Sequence, residues 1–275
     1  MTDKKEKKSA FGLNKAERKD AVRRSAPKAA VVYEAIRREG KEELTRNTSA
    51  LMWSGLAAGL SMGFSFLMEA LLISYLPNSN WQPLVSKFGY CIGFLIVVLG
   101  RQQLFTENTL TPILQLLHRT DLQTLLHVLR LWVTVLTANI TGAFLFALLI
   151  AKANFLPSSI DQILFKISQE LFVGSFWQTF FSAVFAGWLI ALMVWLLPFA
   201  ESGRVTVIVI ITYIVGLGHF AHIIAGSVNA FYALVVGGVS ITAVASKFFV
   251  PALLGNIVGG VTFVSTINYA QVRLG

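Results

Sequence analysis

The chain has 275 residues, of which 55% are hydrophobic and 13% charged, with a mean hydropathy of +0.66 and a formal net charge of +9. Soluble proteins carry roughly 25% charged residues, whereas only 9 Lys or Arg and 6 Asp or Glu remain between Leu51 and Gly275. Those are too few to solvate a globule, so a soluble enzyme is excluded and an integral membrane protein is expected.

The first 46 residues hold 14 of the 23 Lys and Arg against 8 acidic groups. Residues 1–46 therefore read as a basic tail held in the cytoplasm by its excess of Lys and Arg ahead of the first span. Nucleic-acid binding is the weaker reading of the same charges. Disorder is expected from Met1 to about Ser9, and residues 29–43 suit an interfacial amphipathic helix. No apolar stretch follows closely on Met1, so no signal peptide is expected.

Residues 47–272 form the predicted membrane domain. Stretches long enough to cross ~30 Å of hydrocarbon fall at about 49–75, 84–117, 123–151, 170–197, 204–237 and 248–270. Six crossings bring the C-terminus back to the cytoplasmic side with the N-terminus. Arg119, Arg204 and Arg273 then lie inside, and Lys87, Lys152, Lys166 and Lys247 outside or near that face. Cys91 is the single cysteine; it excludes an internal disulfide and reads as an inert core residue.

The second and fifth stretches are too long for simple helices, and each is interrupted by polar groups. Leu104-Phe105-Thr106-Glu107-Asn108 breaks the second, and His219 through Ser227 breaks the fifth. Ala138-Asn139-Ile140-Thr141-Gly142 in span three resembles Gly255-Asn256-Ile257-Val258-Gly259 in span six, 117 residues on. The same offset carries Phe105 onto His222. An odd number of spans per half requires an inverted pseudo-twofold in the membrane plane, with the two broken helices meeting near midplane.

Gly142, Gly255, Gly259 and Gly260 read first as small residues at helix crossings. Asn139 and Asn256 are expected to bridge the backbone groups that a broken helix leaves unpaired, since an unpaired amide facing lipid costs several kcal/mol. At the first break the Thr106 hydroxyl and the start of a half-helix offer donors to an anion. Glu107 either caps that half-helix or faces the cytoplasm. His219 and His222 lack the further Cys, Asp or Glu that a metal site needs, so no metal or other cofactor is expected. His219 reads as structural or pore-lining. His222 reads as a pore group that donates a hydrogen bond or relays a proton. Leu104, Phe105 and Phe220 suggest apolar constrictions around a small polar chamber. A bare anion there meets a large desolvation penalty, and its neutral conjugate acid meets far less. No Ser/His/Asp set, nucleotide loop or paired carboxylates point to an enzyme.

Leu104-Phe105-Thr106, the Asn139/Gly142 pair, Gly216 through Ser227, and Pro251 through Gly260 together resemble the formate/nitrite transporter family. The likeness covers roughly residues 30–272. It implies an all-α, aquaporin-like six-helix protomer with an inverted 3+3 repeat and broken helices two and five. It also implies a homopentamer in the lipid bilayer of a plasma (bacterial inner) membrane, each protomer having its own pore for small anions or weak acids such as formate or nitrite. Under that resemblance His222, in Phe220-Ala221-His222, looks like the central pore histidine. Tyr90 and Phe94 fall where the family places a cytoplasmic constriction. The sequence departs from the family at Ala221, where a Glu is usual, and at Gly226 and Gly187, where Asn is usual. Leu171 stands in place of a vestibule lysine, for which Lys166 substitutes only if the helix starts elsewhere. A neutral-solute channel and a non-conducting membrane scaffold are the alternatives.

Overall fold

The structure is a computed structural model that describes residues 13–24 and 27–274. The disorder expected for residues 1–9 lies outside the described residues. The fold is all-α, and among the described residues five helical stretches are long and apolar enough to cross a membrane.

Two helices precede the bundle, α1 (Lys15–Arg24) and α2 (Ala29–Thr45). The first long span, α3 (Thr48–Tyr75), starts at the Asn47 cap, whose side chain accepts from the Ser49 N–H. The next stretch, Gln82–Leu99, comprises α4 (Gln82–Ser86) and α5 (Cys91–Leu99). After an irregular segment and a 3-10 turn at Glu107–Thr109, the chain resumes as α6 (Thr111–Arg119). Asp121 caps α7 (Leu122–Lys152).

An amphipathic helix, α8 (Ser158–Glu170), then packs its Ile160, Leu164 and Ile167 face on the bundle. The following span α9 (Phe176–Leu196) opens with a Ser175/Gln178 capping box. It therefore begins at Phe176 and not at the expected 170, because residues 158–170 form a helix of their own. Two shorter apolar helices, α10 (Arg204–Leu217) and α11 (Ile223–Val235), flank a second irregular segment. The chain ends in α12 (Ile241–Leu274). That helix loosens into π-type turns at Val244–Phe249 and Gly259–Thr266. The first precedes Pro251, which supplies no N–H and crowds the preceding turn, so a wider turn relieves both.

Two tight crossings organise the bundle. A Cβ on Gly59 of α3 would strike the Asn139 carbonyl, and one on Gly142 of α7 would strike that of Leu56. In the second crossing a Cβ on Gly187 of α9 would strike the Asn256 carbonyl, and those on Gly255 and Gly259 of α12 would strike Phe180 and Val184 carbonyls. Backbones this close gain dispersion contacts that lipid tails cannot match. The outer surface keeps large apolar side chains exposed, among them Trp53, Val133 and Phe181, with Tyr75, Trp81 and Trp177 near the ends of spans, as membrane interfaces favour.

The amphipathic helix α2 packs its apolar face on the bundle. Tyr33, Ile36, Gly40 and Leu44 of α2 are buried. Its packing is chiefly on α6, where the Tyr33 hydroxyl donates to the Leu114 carbonyl at 3.3 Å. A Cβ on Gly40 would strike the Thr111 carbonyl.

Candidate functional site: a histidine–threonine contact between two broken helices

The two irregular segments are built alike. α5 ends where Gly100 N–H donates to Ile96 O, and α10 where Gly218 N–H donates to Ile214 O, each at 2.9 Å. The next residues, Arg101 and His219, both turn left-handed, with φ of 51° and 50°. Gln102 N–H then reaches back to Val97 O at 2.9 Å, and Phe220 N–H to Val215 O at 3.0 Å. Beyond this point the helices stop, and orphan peptide groups need other partners.

Two asparagines supply them. Asn139 Nδ2 donates to the Gly55 and Gln103 carbonyls, both at 2.8 Å, while its Oδ1 accepts from the Phe105 N–H at 2.9 Å. Asn256 Nδ2 donates to Ala183 O at 2.8 Å and Ala221 O at 2.9 Å, and its Oδ1 accepts from the Ile223 N–H at 2.8 Å. Ser54 and Ser182 hydroxyls accept from the Gln103 and Ala221 N–H groups, each at 3.0 Å. Each amide thus spans one break residue, Leu104 in the first and His222 in the second. The sequence pairing placed Phe105 on His222. The hydrogen bonds pair Leu104 with His222, one residue earlier.

His222 caps α11, its Nδ1 accepting from the Ala225 N–H at 3.1 Å. Nδ1 therefore carries a lone pair, which leaves the ring proton on Nε2. Nε2 lies 2.8 Å from Thr106 Oγ1, so the imidazole donates to the threonine and the Thr106 hydroxyl keeps its own proton to offer. Both residues are almost wholly buried. The Phe94 ring meets the His222 ring edge-on at 5.0 Å.

One cavity reaches His222, and a second reaches Glu107, the residue after Thr106. The second, of about 640 Å³, is lined by Glu39 and Glu43 of α2 and by Gln103 and Glu107 of the first break. Glu107 faces it, with one carboxylate oxygen buried and unpartnered. Glu43 accepts from Thr111 Oγ1 at 2.5 Å and from Gln103 Nε2 at 3.3 Å. The other cavity, of about 270 Å³, includes His219, Phe220 and His222 in its wall. His222 thus lines one space, and Glu107, the residue after its partner Thr106, lines the other.

The remaining predicted residues divide between these surroundings. Phe220 lines the smaller cavity and stacks on Phe185 at 5.4 Å. Leu104 and Phe105 are buried and line neither cavity; Phe105 packs against Trp132 at 5.8 Å. The rings of Tyr90 and Phe94, which the resemblance assigns to a cytoplasmic constriction, lie 5.3 Å apart. Tyr90 faces the smaller cavity beside Glu69 and Lys87, because the chain enters the second span at that end, and Phe94 stays against His222. At Gly187 a Cβ would strike the Asn256 carbonyl, so this crossing admits no larger side chain. At Gly226 the Phe248 ring occupies the space that a side chain would need. Leu171 does line the smaller cavity.

Sequence reasoning passed over Glu69 and Lys87, which pair at 2.5 Å in the smaller cavity. A lone acid inside an apolar 28-residue span was the available signal. Among the described residues no group of three or more His, Cys, Asp or Glu could hold a metal ion.

Known proteins resemble this chain along nearly its whole length. The family model described as "Formate/nitrite transporter" matches residues 30–270. "Inner membrane protein YfdC" of Escherichia coli (strain K12) is 35% identical over 246 residues, which is 90% of this chain and 79% of that protein. "Formate channel BtFdhC" of Bacillus thuringiensis is 25% identical over 258 residues, covering 87% and 93%. The solved structure titled "Pentameric formate channel with formate bound" superposes with a TM-score of 0.70 at 19% identity, covering 83% of this chain and 98% of that one. "FNT family ion channel" gives 0.73 at 18% identity, covering 88% and 96%.

Proposed function

Because the chain belongs to the formate/nitrite transporter family, we propose that small monovalent anions or their conjugate weak acids cross the membrane past its Thr106–His222 contact. The protein is a transmembrane channel and not an enzyme. One observation carries the proposed route: a 2.8 Å hydrogen bond joins the two breaks through Thr106 and His222, with His222 lining one cavity and Glu107, next to Thr106, lining another. A carboxylate or nitrite oxygen arriving there meets the Thr106 hydroxyl as a donor, and the Nε2–H where it displaces Thr106 Oγ1 as that proton's acceptor, within low-dielectric walls that strengthen such bonds. Formate and nitrite are the substrates we favour.

Matching hydrogen bonds at the breaks support an aquaporin-like protomer with six crossings, the second and fifth broken, related as an inverted 3+3 repeat. We further propose a homopentamer in a bacterial inner membrane, with a pore in each protomer. The N- and C-termini are placed in the cytoplasm on the strength of the basic residues before α3. Residues 1–46 serve as the cytoplasmic segment and 47–272 as the membrane domain.

The test is flux of formate, nitrite, urea and glycerol into liposomes holding the assembled oligomer. Wild-type protein should pass formate. His222→Ala should lower that flux ~10–100-fold, the kinetic equivalent of losing a hydrogen bond of about 1.5–3 kcal/mol to a charged group. Thr106→Ala should also lower it. Unchanged formate flux in both variants would remove the contact from the pathway; a protein passing only urea or glycerol would be a neutral-solute channel.

A further inference from the structure

Neither the helix breaks nor the Thr106–His222 contact uses the two charged side chains paired in the smaller cavity. Lys87 Nζ donates to Glu69 Oε1 at 2.5 Å, and the side chains are 10% and 6% exposed. Their meeting is built into the fold. Gly89, two residues after Lys87, lies so close to α3 that a Cβ there would stand 2.5 Å from the Glu69 nitrogen. The next turn is pinned from the same helix. Ser65 Oγ donates to the Tyr90 carbonyl at 2.6 Å and accepts from the Gly93 N–H at 3.1 Å.

A buried ion pair is weak evidence for stability, because well-packed apolar residues often serve as well or better. This one sits in the wall of a cavity that reaches His222. The other ionisable groups in that wall are Tyr90, Glu170, His219 and His222. His219 Nδ1 stands 3.9 Å from Glu170 Oε2. With both imidazoles neutral, the formal charge of the wall is one negative, and Lys87, its only ammonium, is held by Glu69. Leu171 adds an apolar group to the same wall.

We propose that the Glu69–Lys87 pair determines specificity in this vestibule by cancelling the ammonium that would gather free anions, so that the entrance favours the neutral conjugate acid. The inference rests on the channel reading above. An unpaired ammonium in a low-dielectric cleft concentrates anions by ten- to a thousandfold. Paired with a carboxylate at hydrogen-bond distance it presents a dipole, whose field falls off faster and does not attract one sign of charge. A neutral acid loses nothing by this, and a free anion loses its steering.

Formate flux is to be measured over a pH series at constant total formate, with the full-length oligomer in liposomes. Wild-type flux should follow the protonated fraction. Glu69→Gln frees Lys87 and should add a component that persists where the acid is scarce, ~10-fold above wild type at alkaline pH and visible as anion current across a planar bilayer. Glu69→Gln combined with Lys87→Gln leaves no unpaired charge at the pair and should return the acid-following profile. Leu171→Lys places an unpaired ammonium in the same cavity with the pair intact, and should raise the anion component even where Glu69→Gln does not assemble. Assembled Glu69→Gln protein with the wild-type profile, or Leu171→Lys protein without an anion component, overturns the proposal. If wild-type protein passes no formate at any pH, the channel reading fails and this inference falls with it. Formate flux that ignores both substitutions sinks this inference alone.

Discussion

At the scale of single residues, the molecule depends on two carboxamides more than on any charged group. Asn139 and Asn256 each make three bonds to backbone groups of other segments while wholly buried. Alanine at either position strands three peptide partners, so a loss of about 3 kcal/mol or more is expected. Thermal unfolding of the purified oligomer checks this, and a midpoint matching wild type would refute it. Gly187→Ala should also destabilise, by about 1–3 kcal/mol, because its methyl meets the Asn256 carbonyl in a packed crossing. The sequence made both asparagines legible as bridges, because an amide in an apolar span has few other uses. It did not reveal the partner of His222. The offset read from spans three and six is 117, whereas the breaks match at 118. The extra residue falls between break and asparagine, in connections whose lengths differ by one, and periodicity cannot place such a difference.

Among the elements, α2 is the one whose position should respond to pH. Burial in the wall of the larger cavity pushes the Glu43 carboxyl up to about 7, against hydrogen bonds from Thr111 and Gln103 that lower it. Its folded value thus exceeds its ordinary 4.5, and the folded state holds the proton more tightly than the unfolded one. Docking of α2 is therefore strongest below about 4.5 and weakens as pH rises through about 7, as the buried carboxyl ionises. Amide exchange along Ala29–Thr45, corrected for intrinsic rates, should be more protected at acidic than at alkaline pH. Glu43→Gln should flatten that difference; an unchanged slope in the variant would assign it to other groups. The apolar positions of α2 were legible in the sequence, but the surface they cover was not, because the same stripe fits lipid or protein. The helix α8 was missed for a related reason. Its Ile160, Leu164 and Ile167 stripe is too short to cross the bilayer, so hydropathy leaves it as part of the connection between two spans.

For the whole molecule, the apolar stretches and their polar interruptions carried most of the architecture, since lipid leaves the backbone few ways to satisfy its hydrogen bonds. What composition could not convey is which faces meet, and so the Glu69–Lys87 pair went unread. The proposed orientation places the α7–α8 connection outside and the α6–α7 connection inside. On a Cys91→Ser background, which removes the single thiol, Ala153→Cys should label with an impermeant maleimide in intact spheroplasts. Gln123→Cys should label only after lysis, and the reverse pattern would invert the molecule. The clamps at the two breaks carry one more consequence. They seize main-chain carbonyl and N–H groups, which every residue but proline carries, so the frame is indifferent to the side chain displayed between them. One clamp already holds a leucine and the other a histidine. New selectivities can thus evolve by exchanging those displayed residues while the scaffold that presents them stays intact.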